Sequence, residues 1–333
     1  MLRFVRTAGL AAATLLTVTT APALAERFTF VALGDMPYTI PQDYPRFERL
    51  IARINSVKPS FSVFIGDTKS GSSTCADETL LKTRDLFQTF DQPLVYTIGD
   101  NEWTDCHRER AGKFDPLERL VRVRALHFAD TKTFGKAPMT VEREADVMPD
   151  HKQMVENARW TKDGVIFATL HIVGSNNGLE RNIDSVKEFF ARDAANTAWI
   201  NDTFAKAASS NAKGVVFAFQ ADMSLERDLG ELAYANQGFW NTIEAFRKGA
   251  LAFKKPVLLI NGDSHVLKID QPLKTDKKET IENLTRLQVM GANEIHAVAV
   301  TIDTVAVTID TEDPGLFSYR PLIVPENVTN PKP

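Results

Sequence analysis

Four Gly-Asp pairs set the terms for this 333-residue chain, because each directly follows a short apolar run: Gly34–Asp35, Gly66–Asp67, Gly99–Asp100 and Gly262–Asp263. The runs at 28–33, 61–65, 94–98 and 257–260 are rich in β-branched and aromatic residues and read as buried strands. Glycine allows a sharp turn at a strand end, and the aspartate after it enters the crevice where open α/β sheets bind ligands. One such aspartate is most simply a turn or helix cap. Four at corresponding strand ends, the last continuing as Ser264–His265, point instead to a shared site. Carboxylates brought together repel and raise one another's pKa, and cations neutralise them.

Further strands are expected at 165–170, 215–219, 287–290, 297–302 and 305–309, the last three as a meander in a second, more antiparallel sheet. Helices are expected at 45–57, with Phe47, Leu50, Ile51 and Ile54 on one face, and at 76–90, 193–208 and 238–253. The alternation predicts an α/β layered fold with a partly parallel sheet. Neither a repeat nor a low-complexity linker divides it, so one domain is expected over 26–325. The polar stretch 112–160 reads as a cap or inserted loop near the site, and 326–333 as a poorly ordered tail.

The first 25 residues carry an export signal. Arg3 and Arg6 precede an apolar run at 8–22, and Ala23–Leu24–Ala25 is an A-x-A triplet that places cleavage before Glu26. The alternative, a membrane anchor, asks more length than the run has. A periplasmic or secreted location follows, with no membrane association after cleavage. The two cysteines, Cys75 and Cys106, either pair in that oxidising compartment, tying the loop after the second motif to the loop after the third, or remain thiols. A net charge of −4 gives no reason to expect nucleic-acid binding, which usually needs a basic face, and leaves room for a small phosphorylated substrate. No Gly-x-Gly-x-x-Gly follows the first strand, and there is no Walker loop, Gly-x-Ser-x-Gly elbow or Cys-x-x-Cys pair.

In order and rough spacing, Gly34–Asp35, Gly66–Asp67, Gly99–Asp100–Asn101–Glu102 and Gly262–Asp263–Ser264–His265 resemble the motifs of the calcineurin-like metallophosphoesterases and purple acid phosphatases. The resemblance covers nearly the whole mature chain. It implies a four-layer α/β/β/α sandwich of two mixed sheets, and two divalent metal ions that bind a phosphate ester and activate water. Carried over by position, it makes Asp67 the bridging ligand. Asp35 and His265 would hold one ion; Asp100, Asp263 and Gln220 the other. Asn101 stands where the family has a catalytic histidine, and Pro37 where it often has a metal-binding one; Tyr38 is a candidate substitute. With imidazoles exchanged for oxygens, the implied site suits Mn²⁺, Mg²⁺ or Ca²⁺ better than Zn²⁺ or Fe.

His107, close to the third motif, is a candidate to contact phosphate with Arg108 or to stand in as the acid; otherwise it is a polar loop residue. His171 either reaches the site from a neighbouring strand end or is structural. Glu102 and Trp103 are expected to orient their loop, and His127, His151 and His296 to be structural or on the surface. The function implied is metal-dependent hydrolysis of a phosphate ester; the other reading is a catalytically silent relative that binds a metal or a phosphorylated ligand. Oligomeric state is not legible.

Overall fold

The computed structural model describes residues 27–179, 181–225, 237–303 and 315–328. The expected signal segment 1–25 and strand 305–309 lie outside these residues. No helix among the described residues is long and apolar enough to cross a membrane.

In the amino-terminal half, strands β1 (Arg27–Leu33), β2 (Ser62–Phe64) and β3 (Leu94–Tyr96) alternate with helices α1 (Tyr44–Val57) and α2 (Asp77–Phe87), and α3 (Pro116–His127) follows. Then come β4 (Glu142–Arg143), β5 (Ala158–Lys162), β6 (Val165–Thr169), α4 (Ile183–Ser209), β7 (Gly214–Ala218), α5 (Trp240–Phe253) and β8 (Val257–Asn261). The chain ends with β9 (Lys268–Asp270), β10 (Leu284–Gln288), β11 (Ala297–Asp303) and β12 (Phe317–Leu322).

Two mixed sheets result. The first has the order β12-β11-β1-β2-β3 and the second β4-β5-β6-β7-β8-β10-β9. β1, β2 and β3 are mutually parallel, as are β6, β7, β8 and β10. Strand alternation sorts side chains into layers. Phe28, Phe30 and Ala32 of β1 face the second sheet and pack with Phe61, Phe167, Val216 and Leu258. Val31 and Leu33 point the other way, under α1, α2 and α3. Ile166 and Ala168 of β6 and Phe217 of β7 likewise turn outward beneath α4 and α5. Strands buried on both faces explain the continuous apolar runs, and the whole is the expected four-layer sandwich.

Three expectations are corrected. The late strands form no separate sheet: β10 lies parallel to β8 in the second sheet, while β11 and β12 extend the first, antiparallel to β1. The stretch 112–160 is neither irregular nor a cap; it contains α3, whose Leu120 and Val123 join the outer core of the first sheet, and β4 and β5 at the edge of the second. Residues 326–328 are placed, and the buried Asn327 donates to the backbone carbonyls of Arg46 and Ile295 at 2.9 and 3.0 Å. The order of the tail therefore extends beyond 325.

Cys75 and Cys106 are joined, Cα to Cα 5.7 Å, linking the loops after β2 and β3. Closing a loop of 31 residues restricts the unfolded chain by about 3–4 kcal/mol. A Cys75→Ser, Cys106→Ser double variant is expected to lose stability of that order in urea unfolding. A loss below about 1 kcal/mol would mean the bond contributes little.

Candidate metal and phosphate site

All four Gly-Asp pairs meet at the carboxyl edge of the two sheets: Asp35 follows β1, Asp67 follows β2, Asp100 follows β3 and Asp263 follows β8. Gln220 lies beyond β7, and the loop 174–177 beyond β6. The turns are tight. Gly66 has φ +92°, and a Cβ there would lie 2.6 Å from the amide nitrogen of Gly99. A Cβ on Gly262 would sit 1.9 Å from Asp35 Oδ2. Asp35, Asp67, Asp263 and His265 themselves have φ between 53° and 70°. Each such left-handed residue costs on the order of 1–2 kcal/mol, and strain of this kind collects at functional sites.

Glu102 holds the second and third motifs in register. Fully buried, its carboxylate accepts from the backbone N–H groups of Asp67 at 3.2 Å, Gly99 at 3.0 Å and Thr68. This is the orienting role expected of it.

Asp67 lies at the centre of a hydrogen-bond network. Its Oδ2 accepts from Asn101 Nδ2 at 2.6 Å, the Tyr38 hydroxyl at 2.8 Å and Gln220 Nε2 at 3.2 Å. Its Oδ1 accepts from the Asn101 backbone N–H at 3.1 Å. Tyr38 Oη in turn lies 3.1 Å from both Asn101 Nδ2 and His265 Nε2, and 3.4 Å from Asp35 Oδ1. The phenol has one proton to give, and the shorter of its two contacts with a carboxylate is the one to Asp67. Asp263 donates its backbone N–H to both Asp35 oxygens, at 3.1 and 3.2 Å.

On the far side, Ser175 Oγ lies 2.9 Å from Asp100 Oδ2 and 3.1 Å from Asp105 Oδ1. Asp100 Oδ1 is buried with no hydrogen-bond donor. The carboxyls of Asp100 and Asp67 are close enough to hydrogen-bond when one is protonated. Ser175, Asn176 and Asn177, with φ of 53°, 50° and 56°, form the left-handed turn that brings this hydroxyl in.

Burial first, and then mutual repulsion, pushes these acids upward. Asp35 and Asp67 are raised well above the aspartate range, the repulsion coming chiefly from Asp263 and Asp100 respectively. Asp100 is raised to about 7 by burial and by Asp263, and Asp263 to about 6 by burial. Burial lowers His265 and so favours its neutral form. The same desolvation, reinforced by Asp67, raises Tyr38 and keeps it a phenol.

Asp35, Asp67, Asp100, Asn101, Gln220, Asp263 and His265 are thus brought together, but not all as expected. Gln220 turns its nitrogen to Asp67 and commits Oε1 to the Gly174 N–H at 2.7 Å, so its oxygen is not offered as a ligand. His107 is exposed, with Nδ1 2.8 Å from the Thr104 carbonyl, and joins none of the carboxylates. His171 is buried against Glu156 at 2.6 Å and is structural. Ser175 and Asp105 were not singled out from sequence; two residues packed against Asp100 only in space leave no local signal.

The donor chemistry suits a hard divalent cation on the Asp100–Asp263 side. Asp100 Oδ2 and Asp263 Oδ2 lie 2.9 and 3.0 Å from the same point above Gly174, and Asp100 Oδ1 lacks a partner. The Asp35–His265 side is filled by the Tyr38 hydroxyl. Among the described residues no group of three or more His, Cys, Asp or Glu surrounds a single point as a ligand set. The fit is one of charge and donor type rather than of a closed shell.

No protein-family model matches the chain, and no curated protein does. Solved structures do. A dimetal phosphatase from Danio rerio aligns with TM-score 0.50 and 9% identity over 88% of this chain and 98% of that one. GAP50, the anchor in the inner membrane complex of Plasmodium, aligns at 0.48 and 11% over 90% and 89%. Purple acid phosphatase PPD1 from yellow lupin (Lupinus luteus) seeds aligns at 0.48 and 12% over 84% of this chain and 50% of that chain. At such identities the likeness is one of fold: this chain shares with the Danio rerio structure an architecture of two mixed sheets between helices.

Proposed function

We propose that this chain is a divalent-cation-dependent phosphoesterase, a hydrolase acting in the periplasm or outside the cell on a small phosphorylated substrate. The observation that carries the reading is the convergence of Asp35, Asp67, Asp100 and Asp263 on strained backbone at the edge of a metallophosphoesterase-like fold. Buried carboxylates this close are held at a cost that positive charge relieves. Asp100 and Asp263 would hold a first ion beside Asp67. Asp35 and His265 would hold a second only with the Tyr38 oxygen as a further ligand. The oxygen-rich set favours Mn²⁺, Mg²⁺ or Ca²⁺. When bound, a divalent cation supplies positive charge against phosphoryl oxygens and makes water easier to deprotonate.

The chain's own groups shape the rest. Asn101 holds Asp67 in place with its amide and cannot donate a proton to a departing alkoxide as an acid would. Substrates with good leaving groups, activated esters or anhydrides, are therefore favoured over alkyl monoesters. The disulfide and the amino-terminal signal pattern support export.

A second reading, a catalytically silent relative that binds a cation or a phosphorylated ligand, is favoured by the four donors that already saturate Asp67. Hydrolysis of p-nitrophenyl and alkyl phosphates with Mn²⁺ or Mg²⁺ separates the two. Turnover confined to the activated ester and reduced about 10²–10³-fold in Asp67→Asn supports the enzyme. Cation binding without turnover on any ester supports the silent relative.

A further inference from the structure

One oxygen stands where a second cation would have to go. Tyr38 Oη lies 2.8 Å from Asp67 Oδ2, 3.1 Å from His265 Nε2 and 3.4 Å from Asp35 Oδ1. These are the atoms that an ion on this side would gather, at about 2.0–2.6 Å from hard oxygens. The hydroxyl holds the position they share, at hydrogen-bond spacing rather than coordination spacing. Asn101 Nδ2 donates to the same oxygen at 3.1 Å. The hydroxyl is also firmly seated. The Tyr38 ring meets the His265 ring edge to face, with centroids 5.1 Å apart. Ser73 Oγ donates to the Tyr38 carbonyl at 3.3 Å. The next residue, Thr39, donates its N–H to buried Asp43 at 2.7 Å and accepts from the Asp43 N–H at 2.8 Å.

The carboxylates on this side have further donors. Both oxygens of Asp35 accept from the Asp263 N–H, and Asp67 Oδ2 accepts from Asn101 Nδ2 and Gln220 Nε2. An ion could share this side only by taking the phenol oxygen as a ligand or by displacing it, and either way it would break these hydrogen bonds. The opposite side is built differently. Asp100 Oδ2 and Asp263 Oδ2 lie 2.9 and 3.0 Å from one point above Gly174, where a Cβ would crowd both. Asp100 is buried, and its Oδ1 has no hydrogen-bond donor. A buried carboxylate oxygen left without a donor is costly, and a hard cation satisfies it.

We propose that the Tyr38 hydroxyl takes the place of a second cation, so that the chain binds a single divalent ion, held by Asp100 and Asp263 beside Asp67, and not a bridged pair. This rests on the reading of the cluster as a cation site and gives that site a count and a side; it does not depend on turnover.

The test is calorimetric titration of the full, chelator-treated chain with Mn²⁺ near neutral pH. Wild type is expected to bind a single ion per chain, with an affinity that falls about tenfold or more in Asp100→Asn, since loss of even an outer-shell partner costs that much. Tyr38→Ala removes the ring and the hydroxyl together and is expected to bind two ions; Tyr38→Ala combined with His265→Ala is expected to return to a single ion. Electron paramagnetic resonance of the Mn²⁺-loaded protein, freed of excess metal, is expected to show an isolated ion in wild type and a spin-coupled pair in Tyr38→Ala. Thermal melts identify any variant that does not fold, and the wild-type count and spectrum stand without the variants. Two ions in wild type, a folded Tyr38→Ala that still binds a single ion, or an affinity unchanged by Asp100→Asn overturns the proposal and leaves the carboxylate cluster a cation site. No saturable Mn²⁺ binding by wild type overturns both.

Discussion

Chelator-treated protein is expected to melt at a higher temperature near pH 6.5 than near pH 8, and Mn²⁺ added at the higher pH is expected to recover the difference. Burial and mutual repulsion raise Asp35, Asp67, Asp100 and Asp263 in the folded chain. An acid with a higher pKa folded than unfolded binds more protons in the native state between the two values. Stability therefore falls as pH rises through that interval. Asp100 at about 7, and Glu144, raised to about 8 by burial, take up protons within the chosen window. Below it an opposing effect begins. Burial holds His127 down at about 4, and His171, His265 and His296 are also lowered. These groups protonate more readily when unfolded, so further acidification erodes the gain. At about 1.4 kcal/mol per pKa unit, the gain across the window is on the order of 1–3 kcal/mol, or several degrees in Tm. Protons and cations compete for the same oxygens, so Mn²⁺ is expected to stabilise more at the higher pH. A Tm that rises from pH 6.5 to 8 in chelator contradicts the assignment of these acids, and equal stabilisation by Mn²⁺ at both pH values places the ion elsewhere.

The central strands could be read from the chain because they are buried on both faces, and β6, β7 and β8 appear as almost wholly apolar runs. Helix α3 has a start signal in the chain. Asp115 caps it by accepting from Glu118 N–H at 2.9 Å, and Pro116 opens its first turn, a start signal written as Asp-Pro-Leu-Glu. The charged residues around it hid the pattern. Helix α4 begins ten residues before the expected 193, capped by Asn182, because exposed Ile183 and Phe190 blur the amphipathic period there. Sheet membership of the late strands was beyond local pattern, since it is set by partners distant in sequence: β8 for β10 and β1 for β11.

At the site, the four aspartates were found from position alone, because Gly-Asp after a strand is a local signal. Which atom of a neighbouring side chain faces them was not. An amide can offer its oxygen to a cation or its nitrogen to a carboxylate, and Asn101 and Gln220 do the latter. By position Tyr38 is a candidate substitute for the absent histidine at Pro37; the fold seats its hydroxyl among Asp35, Asp67 and His265.

Replacing Glu102 with alanine is expected to destabilise the fold by about 3–5 kcal/mol and to loosen the cluster at the same time. The carboxylate is fully buried and accepts from three backbone N–H groups, those of Asp67, Thr68 and Gly99. Removing it strands all three in a place water does not reach, at roughly 1–3 kcal/mol per unsatisfied group, with partial relaxation lowering the sum. Those donors belong to the turns that hold Asp67 and Asp100, so the loss is not confined to stability. Asp67 sits at φ 57°, a conformation kept only while its surroundings impose it. Release of its backbone is expected to weaken Mn²⁺ binding even under conditions where the variant stays folded. Glu102→Gln keeps one accepting oxygen but turns an NH₂ group toward an N–H donor, so it is expected to fall between wild type and alanine on both measures. Urea unfolding and calorimetric titration with Mn²⁺ provide the two readouts. An alanine variant within about 1 kcal/mol of wild type would mean the three N–H groups find other partners and the two loops are held by something else, the Cys75–Cys106 bond being the first to examine.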